Sequence, residues 1–170
     1  GFGLSTDEAG SFFTNAGLGW YIKALFGFIT DRIPILGYRR KSWLALSLLG
    51  SGGAWLYVAT VGTTSAQALM GALVFVNILV AFSDVVADGL MVQMSQVLER
   101  RFGLPEGTGN RPLQSWQWAG AFTAILFGAI AGGVIAQLFN VAVAALFSAA
   151  LPIGLAVLVI FYVEEERVRF

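Results

Sequence analysis

The chain contains no cysteine and no histidine. Disulfides, thiolate nucleophiles, histidine metal sites and imidazole acid/base catalysis are therefore excluded. Charge is also scarce: 12% of residues are charged, with ten Lys or Arg balanced by ten Asp or Glu for a formal net charge of zero. The basic residues gather in short loops rather than along one exposed face, so no nucleic-acid partner is expected. No set of nucleophile, base and orienting group stands out, so neither an enzyme nor a bound cofactor is expected. What remains is apolar. Hydrophobic residues make up 57% of the chain and the mean hydropathy is +0.77, values that mark an integral membrane protein. The chain opens on Gly1 with a short polar stretch, without an initiating Met or a secretory cleavage signal, and is expected to be a fragment.

A helix needs about 20 apolar residues to cross a bilayer. That length divides the sequence into five expected spans, at roughly 11–30, 42–62, 66–98, 112–138 and 141–163. The fold class is thus an all-α polytopic transmembrane bundle. The third helix is expected to continue into water from about Gln93 to Arg101, because it exceeds the bilayer thickness. The connections alternate in charge. Asp31 to Lys41 carries four basic residues and Glu99 to Arg111 carries three, while Gly62 to Ser65 and Phe139-Asn140 are uncharged. Lys and Arg favour the cytoplasmic side, which predicts an outside N-terminus and a cytoplasmic C-terminus. Trp43, Trp116, Trp118 and Tyr162 fall near the expected cytoplasmic boundary.

The most informative residues lie inside the third span. Asn77, Asp84, Asp88 and Ser95 are spaced by seven, four and seven, so at 100° per residue they share one helix face. A charge at bilayer depth costs about 3 kcal/mol on insertion scales, so this stripe is expected to face other helices or a hydrated cavity. It reads either as a substrate or proton path, in which a desolvated carboxylate takes up and releases a proton, or as hydrogen bonding that fixes helix packing. Lys23 is the basic residue in the middle of the first span. Eight residues, or about 12 Å, separate it from Asp31 at the helix end, further than a lysine comfortably snorkels. The economical expectation is an ion pair with Asp84 or Asp88 that leaves the other carboxylate to titrate; Lys23 could instead meet an anionic group of a substrate.

Other patterns support helix contacts. Gly27, Asp31, Arg32, Gly37, Arg39 and Arg40 form a loop with a close-packing glycine, a helix-end acid and a basic cluster, suited to locking neighbouring helices in one state. Gly120, Ala124, Gly128, Gly132 and Ala136 recur every four residues, a ladder expected to serve helix packing. Gln114 and Gln117, three apart at the start of the same helix, are candidates to line an inner vestibule or to bond at the interface. Ser47, Ser51 and Ala54 form a similar small-residue edge in the second span, where Trp55 and Tyr57 could stack on a flat ligand or meet lipid headgroups.

The stretch Lys23, Gly27, Asp31, Pro34, Ile35, Gly37, Tyr38, Arg39 and Arg40 resembles the Lys-Pro-x-x-Gly, Asp and Pro-Ile-x-Gly-Tyr-Arg-Arg hairpin of the folate-biopterin transporter family, within the major facilitator superfamily. Phe82-Ser83-Asp84-Val85-Val86-Ala87-Asp88-Gly89 resembles the family's Asp-Val-Val-Ala-Asp motif. Leu113-Gln114-Ser115 leading into a glycine-rich helix, and then a span ending in Glu164-Glu165-Glu166, is a weaker third match. Together the matches cover nearly the whole chain. The resemblance implies helices two to six of a twelve-helix transporter, in the N-terminal six-helix half, with the C-terminal half missing. It also implies folate or pterin-like substrates, and with the buried acids it points to proton coupling and alternating access between the halves. The membrane would be a bacterial inner membrane, a plasma membrane or a plastid envelope. The chain departs from the family at Ala24, where proline is common, which leaves open whether the helix bends beside Lys23. The antiporter proline is absent from the glycine-rich helix, which tilts the expectation to symport or uniport. The alternatives are a transporter of the same superfamily for a peptidoglycan fragment or nucleotide thioester, and a non-transporting protein of pigment-complex assembly.

Overall fold

A computed structural model of the chain describes residues 17–60 and 66–165, together with Asp7, Gly10, Ser11 and Thr14. The described residues form α1 (Leu18–Tyr21), α2 (Lys23–Arg32), α3 (Lys41–Thr60), α4 (Ala66–Phe102), α5 (Asn110–Leu138) and α6 (Val141–Tyr162). No strand occurs among them beyond an isolated bridge between Ile35 and Tyr38. Four helices are long and apolar enough to cross a bilayer, over Lys41–Thr60, Gln67–Phe102, Asn110–Ile135 and Val141–Tyr162. The protein is an all-α transmembrane helix bundle.

The expected first span is not one continuous helix. Ile22, at φ −98° and ψ 12°, interrupts it between α1 and α2, and the Leu25 amide donates to the Ile22 carbonyl three residues back at 2.9 Å. This tighter turn takes the place of one helical hydrogen-bond register. A bend therefore exists beside Lys23 although Ala24 stands where the family commonly has proline. Most of the residues ahead of Gly17, and the expected turn at 62–65, lie outside the described residues. The third expected span continues unbroken to Phe102, as its excess length required: 37 residues rise about 55 Å, against a hydrocarbon core of about 30 Å.

Between α2 and α3 the chain reverses in a tight turn. Ile35 and Tyr38 exchange two backbone hydrogen bonds of 2.9 Å, with Leu36 at φ +54° and Gly37 at φ +82° between them. Two consecutive left-handed residues define the primed turn that suits such a reversal. Gly37 adopts this geometry freely, whereas Leu36 carries the Cβ cost of a left-handed conformation.

Helix α3 forms the centre of the packing, held most extensively by α6 and next by α4. Its small residues allow this. Gly52 sits so close to Ile153 of α6 that a Cβ would collide, and Ser47, Ser51 and Ala54 are buried. From α6, Ala145, Ala149 and Ala156 are buried too. A small core of Val58, Ala72 and Ala145 joins α3, α4 and α6, with Trp55, Ala59 and Leu69 around it. At the start of α6 the Asn140 side chain accepts from the Val143 amide at 2.9 Å and caps the helix.

Among the described residues, the glycines of the ladder meet no neighbouring helix. A Cβ at Gly120, Gly128 or Gly132 would have open space around it, and α5 touches α4 and α6 only sparsely. The side chain of Ala136 lies outside the described residues. Four-residue spacing of small residues allows a helix to approach closely but does not supply the helix that does so. The seams are built on other glycines. Besides Gly52, Gly19 lies directly on the α4 backbone, where its Cβ would come 2.8 Å from the Ile78 Cα.

Candidate functional site

The seating of Gly19 on α4 and the interruption at Ile22 place α2 so that Lys23 reaches α4. The Lys23 ammonium pairs with Asp84 Oδ2, and both side chains remain about one-third exposed, at 33% and 35%. The ammonium also lies 4.8 Å from the centre of the Trp20 ring, one turn earlier. The cation thus has a carboxylate on one side and an electron-rich aromatic face on the other.

One turn along α4, Asp88 has a different partner. Gln117 of α5 donates its Nε2–H to Asp88 Oδ1 at 2.7 Å. The two acids, one turn apart, are therefore met by a cation and by a neutral amide respectively. Gln114 is exposed at the start of α5. Asn77 turns inward on its own helix and donates to the Leu73 carbonyl at 3.0 Å. Ser95 is buried and donates to Glu99 Oε1 at 3.1 Å. The stripe read from the sequence is thus divided, with Asp84 and Asp88 at the interhelical site, Asn77 bonded locally and Ser95 in a separate cluster.

That cluster shapes the turn after α4. Glu99 Oε1 also accepts the Gly109 amide at 2.8 Å and ties the 103–109 loop back onto the helix. A cavity of about 730 Å³ opens beside it, lined among others by Ser95, Gln96, Glu99, Arg100, Glu106 and Asn110. It shares no lining residue with the Lys23–Asp84 pair.

The basic loop forms a second charged assembly. Asp31 accepts from Arg40 Nη2 at 2.6 Å, and the Arg40 guanidinium crosses α4 at Gly89 so closely that no Cβ would fit there. Glu165, just past α6, accepts the Arg40 amide at 3.1 and 3.2 Å and the Lys41 amide at 2.7 Å. A carboxylate at the N-terminus of α3 satisfies amides that lack intrahelical partners and faces the positive end of the helix dipole. Arg32 stacks on Phe28 at 4.1 Å, and Arg39 is exposed. Gly27 packs against Val85, where a Cβ would sit 3.5 Å from the side chain. The Trp43 indole donates to the Ile33 carbonyl at 2.7 Å, and its ring meets Phe82, which in turn meets Phe26. Three aromatic rings thus bind α2, α3 and α4 together beneath the loop.

Trp20, Gly89, Glu99 and Glu165 join the candidate residues only once the helices are assembled. Trp20 at three residues before Lys23, and Gly89 directly after Asp88, were local signals. Glu165 stands 125 residues from Arg40, and its place in the Glu164-Glu165-Glu166 run carried no signal of what it would meet.

A transmembrane helical bundle with an interhelical ion pair and a second carboxylate one turn away is the class of protein this arrangement defines. The chain belongs to the BT1 family, whose model matches residues 1–170. It is 33% identical over 172 residues to the folate-biopterin transporter of Synechocystis sp., an alignment that takes in 97% of this chain and 33% of that protein. It is also 30% identical over 132 residues to probable folate-biopterin transporter 4 of Arabidopsis thaliana, covering 76% of this chain and 26% of that protein. The chain therefore spans about a third or less of the length of these relatives. No solved structure matches it.

Proposed function

We propose that this chain is part of the N-terminal six-helix half of a major-facilitator-type secondary transporter of folate- or pterin-type compounds, working by proton-coupled alternating access. Both relatives are named for folate and biopterin. The observation that carries the mechanism is the division of partners between Asp84 and Asp88. Lys23 is neutralised by Asp84, while the partner of Asp88 among the described residues is the uncharged Gln117. A proton taken up at Asp88 strands no cation, whereas one at Asp84 leaves Lys23 without its counter-ion, a costly state at bilayer depth. Asp88 is accordingly the coupling carboxylate, and Lys23 with Asp84 forms the substrate-facing pair. A ligand carboxylate meets Lys23, and the amino edge of a pteridine donates to Asp84. Asp31, Arg32, Arg39, Arg40 and the turn at Gly37 act at the cytoplasmic end as the lock of one transport state, with Gly27 seating α2 on α4.

The test is uptake of labelled folate and of a simple pterin by the complete protein in vesicles, with and without an inward proton gradient. Gradient-stimulated uptake is expected, and Asp88→Asn is expected to remove the stimulation while the protein still assembles. Stimulation that survives in Asp88→Asn removes the coupling role, and no uptake of either compound by well-inserted protein overturns the substrate reading.

A further inference from the structure

We infer that Trp20 is the ring-recognition residue of this site: its indole supplies the stacking face for a planar heterocycle whose acceptor edge reaches Lys23. The inference rests on the substrate class proposed above and assigns the part of the site that selects it.

The placement of Trp20 is fixed on both sides. Gly19, its neighbour, lies on the α4 backbone at Ile78 without room for a Cβ, so α1 approaches α4 as closely as two helices can. At Ile22 the helix is interrupted, and Lys23 begins α2. The indole is therefore held beside the ammonium, 4.8 Å from ring centre to Nζ, and the ammonium is held by Asp84. Trp20 is nevertheless 45% exposed, and Lys23 and Asp84 are each about one-third exposed, so ring, cation and carboxylate all keep surface available.

These three groups recognise different parts of one kind of molecule. An indole face attracts another flat π-system whatever its substituents, by stacking. The ammonium takes a carbonyl, a deprotonated ring nitrogen or a carboxylate at the edge. The carboxylate accepts from an amino group. A flat amino-substituted heterocycle with a carbonyl meets all three, whereas a flexible anion without fused rings meets only Lys23. The contact also gives the cation a second favourable neighbour besides Asp84.

The experiment uses the complete protein in vesicles and measures concentration-dependent folate uptake in wild type, Trp20→Leu and Trp20→Phe. Two competitors separate the parts of the ligand: pterin, which is ring alone, and N-acetylglutamate, a flexible dicarboxylate without any aromatic ring. Trp20→Leu is expected to raise KM for folate about tenfold, the size of one lost stacking contact, with little change in maximal rate. It is also expected to weaken inhibition by pterin by a similar factor while leaving inhibition by N-acetylglutamate intact, and Trp20→Phe is expected to restore most of the affinity. Unchanged KM and pterin inhibition in Trp20→Leu overturn the inference, as does a fall in maximal rate alone. Should Trp20→Leu fail to insert, Trp20→Met takes its place with the same expected pattern and the same overturning results. Failure of the underlying substrate reading looks different: wild-type protein then takes up neither folate nor pterin, and the assignment of Trp20 falls with it.

Discussion

The middle of the bundle and the end of its basic loop each hold an acid–base pair, yet they are stabilised by opposite means. At mid-helix, Lys23 and Asp84 are each two-thirds covered, and their attraction acts with little water to screen it. At the loop, Asp31 is 57% exposed, and its bond to Arg40 belongs to the class of surface pairs that contribute little. What fixes the loop is instead backbone and shape. Glu165 receives two amides at the start of α3, Gly89 leaves a slot for the Arg40 guanidinium, and three aromatic rings lie beneath. The same residue types thus act as a partly shielded charge pair in one place and as accessories to a steric clasp in the other.

Substitutions at both places break or sharpen that contrast, and all are measured on the complete protein in detergent. The largest effect is expected at mid-helix. Lys23→Met strands Asp84 and is expected to destabilise by about 2 kcal/mol, less than the 3–5 kcal/mol of a fully buried pair because these side chains are partly open. Lys23→Met combined with Asp84→Leu is expected to recover most of the melting temperature, and a double variant as unstable as the single one would show that the pair is not the source. Next comes Gly89→Ala, whose Cβ displaces the movable Arg40 guanidinium and with it both its seat on α4 and its bond to Asp31, at about 1 kcal/mol. Its effect should exceed that of Asp31→Asn measured alongside, and the reverse order would make the charge pair, not the fit, the clasp. The smallest is Asp31→Asn itself, under about 1 kcal/mol and vanishing in high salt. Glu165→Gln serves as its control, because an amide oxygen still accepts the Arg40 and Lys41 amides and should lose only a fraction of the cap.

The sequence was legible where one physical quantity decided the matter. Apolar run length located α3, α5 and α6 to within two residues, and the unbroken extension of α4 followed from its length. A pair of Lys23 with Asp84 or Asp88 followed from scarcity, since few charges lay deep enough to pair, while the choice of Asp84 came only with the assembled helices. Glycine spacing records which face of a helix is narrow and not what lies against it. The regular ladder of Gly120, Gly128 and Gly132 faces open space, whereas the isolated Gly19, Gly52 and Gly89 carry the close approaches. The interruption at Ile22 was hidden for a related reason: it is held by backbone hydrogen bonding between residues with no breaker among them. Glu165 was illegible because its partners are backbone amides, which every residue but proline has.

One dimension of α4 carries a mechanical consequence. The helix runs without a joint from the membrane interior, past both carboxylates, to Glu99, which grips the following loop some 22 Å beyond Asp84. A rod of that kind ties two distant places to one body. At its far tip the Ser95–Glu99–Gly109 contacts fasten it to the start of α5, the same helix that returns Gln117 to Asp88, so that α4 and α5 close a ring of contacts with the two carboxyl sites at either end.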